Sequence, residues 1–185
     1  MISSQVNTIG KRPIARDINN TKLVLQAEFG IARAADKDNR LLTKGIGECI
    51  AVPIMAPDLQ VAGLAHFDVM TMVPESFARV IMPQFRQRGE ALLKAQMIGG
   101  NGSDESEKLV RDIRDLLVSN EIEITGMDIG NIERQAGLIV DATKMQVFDV
   151  EQASLIFDNE EYWQREEAAI QYIIANSQRL IHLVV

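Results

Sequence analysis

Two short apolar runs, Cys49 to Ile54 and Val61 to Phe67, are separated by a segment that holds Pro57 and Asp58. Short apolar runs bounded by a Pro-Asp turn signal predict adjacent strands. The constraint reaches chemistry directly, because these runs carry the single cysteine, Cys49, and one of only two histidines, His66. A thiol and an imidazole side by side are the minimum parts of a nucleophilic cysteine hydrolase. The thiolate attacks, and the imidazole takes the thiol proton and later gives it to the leaving group. Gly45 and Gly47 precede the thiol, where a substrate carbonyl has to approach the backbone closely. By itself a lone cysteine is most often a small buried hydrophobe, and a lone histidine a satisfied structural residue. Spacing shifts that weighting: Thr43 lies six residues before Cys49, and His66 seventeen after it.

Around this pair the chain changes period repeatedly. Leu23, Leu25, Ala27, Phe29 and Ile31 alternate with Lys22, Gln26 and Glu28, which predicts one half-buried strand from Lys22 to Ala32. Asp36 to Asn39 reads as a turn. Pro74-Glu75-Ser76 opens a helix whose apolar positions are Phe77, Val80, Ile81 and Phe85. Ala91 to Ile98 is a strand that ends in Gly99-Gly100-Asn101-Gly102. That glycine run lacks the Lys-Ser/Thr of a phosphate loop, and reads equally as a substrate cradle or a mobile loop. Asp104 with Glu107 is a capping-box pattern ahead of a helix with Leu109, Ile113, Leu116 and Leu117 as its buried stripe. Glu121 to Thr125, with Ile122 and Ile124 inward, Leu138 to Val140, and Met145 to Val150 read as further strands. Asn159 to Val185 reads as a helix, apolar at Tyr162, Ala169, Ile170, Ile173 and Ile174 and solvated at Glu160, Glu161, Glu166 and Glu167.

Such irregular alternation predicts an α+β layered sandwich of mixed β-sheets covered by helices, not a parallel doubly wound fold. The expected organisation is a flexible arm over 1–20, a main domain over 21–157 and a helical extension over 158–185. The extension would pack on the domain or mediate self-association. An apolar content of 46% and a charged content of 24% are those of a globular chain with a proper core. The net charge of -7 argues against nucleic acid as a partner, since phosphate binding needs clustered Lys and Arg. One cysteine excludes an internal disulfide and fits a reducing compartment. Met1 to Asp17 carries Lys11, Arg12 and Arg16 with no apolar stretch behind them, unlike a secretory signal. No window approaches the ~20 apolar residues of a membrane span. The expectation is a cytoplasmic protein without membrane insertion, without a cofactor, and without a metal, because structural zinc needs four ligands.

The pattern Thr43-x5-Cys49-x16-His66-Phe67, with Gly47-Glu48-Cys49-Ile50-Ala51-Val52 at its centre, resembles the CheD family, the chemoreceptor glutamine deamidases of bacterial chemotaxis. Ala27-Glu28, Lys94 to Gly100, and Asp128 to Arg134 resemble further segments of that family in order and spacing. Together they span Lys22 to Val150. The resemblance implies sheets covered by helices, a fold also similar to the catalytic domain of cytotoxic necrotizing factor-type toxins. It implies hydrolysis of protein glutamine to glutamate and ammonia, with Cys49 as nucleophile, His66 as base and Thr43 orienting the imidazole. Backbone groups near Gly47, with Gly45, Gly99 and Gly100, are the candidate substrate and oxyanion positions. Chemoreceptor cytoplasmic helices and a CheC-type phosphatase are the implied partners. Three positions depart from the family pattern: Glu48 stands where it usually has serine, Asn131 replaces a glycine, and Asp68 to Thr71 replaces an apolar run. A carboxylate facing the same cavity as the thiol would weaken the nucleophile, whereas an extended segment would point Glu48 and Cys49 apart. A docking module without activity, or a deamidase acting on another protein, are the alternatives. Asp128 and Arg134 read as a structural turn and ion pair, and His182 as structural.

Overall fold

The computed structural model describes residues 11–15, 17–130, 137–150, 160–175 and 180–184. The chain passes through β1 (Thr21–Leu23), β2 (Glu28–Arg33), β3 (Arg40–Lys44), β4 (Ile50–Ala56) and β5 (Val61–Phe67). A helical stretch follows: α1 (Val73–Ser76), a π-wound turn (Phe77–Ile81) and α2 (Met82–Arg86). Then come β6 (Lys94–Gly99), α3 (Asp104–Ser119), β7 (Glu123–Ile129), β8 (Gly137–Asp141), β9 (Gln146–Asp149), α4 (Glu160–Ala175) and β10 (His182–Val184). Among the described residues no helix is long and apolar enough to cross a membrane.

The strands form two mixed sheets. One has the order β10-β2-β5-β4-β6-β7 and the other β1-β3-β8-β9. In the larger sheet the outermost pairs, β10 with β2 and β6 with β7, are parallel, and the inner pairs are antiparallel. Alternation along β4 sorts its side chains into two cores. Ile50, Val52 and Ile54 face Phe77, Phe85, Leu109 and Ile113 of the helices. Ala51 and Met55 face the smaller sheet, with Leu41, Leu64, Leu138 and Val140. Leu42, Ile139 and Phe148 form a third cluster on the outer side of the smaller sheet, where Ala169 of α4 packs. The helices α1–α3, the larger sheet and the smaller sheet therefore form three layers, and α4 lies beside the β1–β2 connection and β10. Each fully buried Leu, Ile or Phe contributes about 1.5–3 kcal/mol before ordering entropy is counted. Within the helical stretch, Met82 donates to the carbonyl of Phe77, five residues back. Pro83 lacks an N–H and crowds the preceding turn, which accounts for the wider winding.

Four expectations change. The strand predicted from Lys22 to Ala32 breaks, because β1 and β2 belong to different sheets and Ala27 takes the left-handed φ of 60° between them. Both faces of that segment are buried: Val24 and Ala32 are as inaccessible as Phe29. The arm is not loose at Arg12, whose guanidinium is buried against Asp128 (2.9 Å) and Asp149 (2.6 Å). The cap of α3 is Ser103, accepting from the Ser106 N–H at 3.2 Å, so Asp104 is already helical. Finally, the helix expected to the C-terminus stops, and His182–Val184 instead joins the edge of the larger sheet beside β2. Arg134, Asn131 and residues 151–159 lie outside the described residues.

Candidate active site

Thr43 shares the inner face of β3 with Leu41, and His66 shares the inner face of β5 with Leu64. The two sheets therefore point these side chains at each other. Thr43 Oγ1 lies 2.7 Å from His66 Nδ1, with Thr43 fully buried and His66 2% exposed. The backbone of His66 is fixed as well, since its carbonyl accepts from the Ala27 N–H at 2.8 Å. The left-handed φ of Ala27 is what brings that N–H to β5.

Cys49 ends the bend that leads into β4 and is 9% exposed. Ala51, two residues on, is registered directly opposite His66, so the bend that holds Cys49 leads into the strand paired with the one that carries the imidazole. Glu48 is exposed, and its carboxylate accepts from Asn101 Nδ2 at 3.1 Å. Glu48 is thus exposed where Cys49 is buried, although the segment is a bend and not the extended strand that would point them apart by alternation.

The predicted glycines take different places. Gly45, with a φ of 68°, lines a cavity of about 120 Å³ together with Leu25, Gln26, Lys44 and His66, closed by Glu166, Ala169 and Ile170 of α4. Gly47 is half-buried in the bend before the thiol. Gly99 and Gly100 instead serve the backbone of the nucleophile. The Gly100 N–H donates to the Cys49 carbonyl at 3.0 Å, which removes it as an oxyanion donor. At Gly99 (φ 121°) a Cβ would run into that same carbonyl and come within 2.6 Å of Ile46 Cγ2. Gly99, the last residue of β6, and Gly100 pack against the bend that holds Cys49.

Electrostatics single out the imidazole. Burial pushes His66 from 6.5 down to about 4, with the carboxylate of Asp68 pulling in the opposite direction. Nε2 is buried and has no hydrogen-bond partner among the described residues. At neutral pH the ring is therefore neutral, with Nδ1 engaged by Thr43; in the tautomer that has its proton on Nδ1, Nε2 is the nitrogen that can take one. Asp68 and Gln26 were not singled out as site residues by sequence reasoning. Two positions beyond a histidine on a strand is the same face, which is the signal that could have identified Asp68. Gln26 had no such signal, because the turn that brings it inward is a tertiary feature.

The other expected residues sit apart. Asp128 is engaged by Arg12, and His182 packs edge-on to Tyr172 with ring centroids 4.3 Å apart. Among the described residues no group of three His, Cys, Asp or Glu side chains gathers as a metal site. No family model matches this chain, and no curated protein matches it.

Proposed function

We propose that the chain is a cysteine-dependent amide hydrolase of the CheD type, which converts glutamine side chains of a protein substrate to glutamate. The observation that carries the reading is the contact of Thr43 Oγ1 with His66 Nδ1 across the two sheets, with Cys49 in the bend that leads into β4, the strand paired with the one that carries His66. When Nδ1 carries the proton and donates it to Thr43, Nε2 presents its lone pair. The thiol proton of Cys49 passes to Nε2, and the thiolate attacks the amide carbon. Collapse of the tetrahedral intermediate expels ammonia, which takes the proton from Nε2 and leaves a thioester on Cys49. Nε2 then removes a proton from water, hydroxide equivalent adds to the thioester, and the proton returns to the departing sulfur. The products are glutamate and the starting thiol.

The exposed position of Glu48 supports an active nucleophile, since its charge is directed away from the thiol and screened by solvent. Chemoreceptor cytoplasmic helices are the substrate class the sequence pattern favours. The test is incubation of the full chain with a glutamine-bearing chemoreceptor fragment, reading ammonia and the amide-to-acid mass gain on each peptide. Conversion by the native chain that disappears in both Cys49→Ala and His66→Ala is expected. Binding without conversion would replace the enzyme reading with a docking module, and conversion that survives Cys49→Ala would refute the nucleophile.

A further inference from the structure

Asp68 lies two residues past His66, just beyond the end of β5, and only 2% of it is exposed. A carboxylate withdrawn from water is costly unless it is hydrogen-bonded. This one is hydrogen-bonded at both oxygens. Oδ1 accepts from the Met70 N–H at 2.8 Å and the Thr71 hydroxyl at 3.2 Å, and Oδ2 accepts from Gln26 Nε2 at 3.3 Å. The Asp68 N–H donates in turn to Thr71 Oγ1 at 3.3 Å. Gln26 also lines the cavity that His66 lines, and the next residue, Ala27, bonds the His66 carbonyl. One short segment therefore clamps both the histidine backbone and the carboxylate. The turn from Asp68 to Thr71 needs an acceptor, which an asparagine would supply equally well. A full negative charge buried there is more than the turn requires.

We propose that Asp68 is a positioning residue for the base: its fixed carboxylate supplies the charge that lets the His66 imidazole hold the Cys49 proton during the acyl steps. The proposal rests on the amide-hydrolase reading given above. The proton travels from sulfur to Nε2 and on to ammonia, and Asp68 takes no proton in either step, so no further reactant is involved. Opposite charge beside an imidazole favours its protonated form, which burial otherwise disfavours. Asp68 is the group identified as raising the affinity of His66 for a proton. Two charged side chains line the cavity beside His66, Lys44 from β3 and Glu166 from α4, and Asp68 lies outside its lining.

The test compares the native chain with Asp68→Asn and Asp68→Glu, all full length. The readouts are steady-state deamidation and the protonated fraction of the His66 ring at pH 5, by nitrogen NMR. The His182→Gln variant assigns the second histidine signal. Asparagine keeps the acceptor for Met70 and Thr71 but removes the charge. The expected result is a protonated fraction lower by about tenfold and a kcat lower by a similar factor at unchanged KM, both partly restored by Asp68→Glu. An unchanged protonated fraction in a folded Asp68→Asn chain would overturn the proposal and leave Asp68 as a turn cap. Should Asp68→Asn fail to fold, Gln26→Leu provides the second arm. It removes one carboxylate donor and is expected to lower kcat without changing KM, and a kcat unchanged by it would overturn the proposal. A fall in protonated fraction in a chain without deamidase activity would uphold the Asp68–His66 coupling while rejecting the amide-hydrolase reading, so the two failures are distinct.

Discussion

His66 is neutral at physiological pH because its ring is withdrawn from water, and it is oriented because Thr43 bonds one nitrogen from the opposite sheet. Its folded value of about 4 lies below the 6.5 of an exposed imidazole, so between these values the unfolded chain binds more protons than the folded one. The neutral ring's contribution is fully present above about pH 6.5 and is lost as pH falls toward 4. The interval corresponds to roughly 3 kcal/mol. Urea titrations at pH 7 and pH 4 are expected to show a smaller loss of stability in His66→Gln than in the native chain; equal losses would deny the buried neutral ring. Thr43 and His66 were legible as strand residues from the short apolar runs around them, but their meeting across two sheets rather than on adjacent strands was not. The burial that depresses the imidazole was not, since it depends on a second sheet whose β8 and β9 come more than seventy residues after His66.

The bend that carries the thiol is supported by β6, and that support depends on the absence of side chains. Gly99 lies against the Cys49 carbonyl and Ile46, at a φ that L residues rarely adopt. Gly99→Ala therefore combines backbone strain with a steric clash, and is expected to cost about 2–4 kcal/mol in urea unfolding. Under the proposed function deamidation should fall with it, because the Cys49 carbonyl has to move. Full stability in Gly99→Ala would show that the bend is not packed as described. At this scale strand β5, the turn after β4 and the strand before Gly99 were readable from period and punctuation. The break at Ala27 was not: a period of two looks the same whether a strand stays in one sheet or crosses to another. Similarly, Ser103 rather than Asp104 caps α3, since both residues are good caps and only the chain path selects between them.

Two sheets packed face to face have to be held in one relative position for Thr43 and His66 to meet. Arg12 contributes to this by pairing with Asp128 on β7 of the larger sheet and Asp149 on β9 of the smaller. Its partners lie 116 and 137 residues away in sequence, too far for any local pattern to reveal. Arg12→Ala leaves two buried or part-buried carboxylates without this cation, and is expected to cost about 3–5 kcal/mol in urea unfolding. A cost within experimental error would mean that the N-terminal segment is not part of the folded unit. The α+β layering and mixed sheets followed from irregular alternation, whereas the edge strand β10 lay hidden behind an apolar helix-like tail. If this architecture exists to bring a thiol to a neutral imidazole, the thioester should be detectable. Full-length protein turning over a glutamine-bearing chemoreceptor peptide would be quenched in acid and its intact mass measured. A covalent adduct equal to the peptide less ammonia, mapped to Cys49 and absent in Cys49→Ala, is the predicted result; glutamate formation with Cys49 unmodified throughout would contradict it.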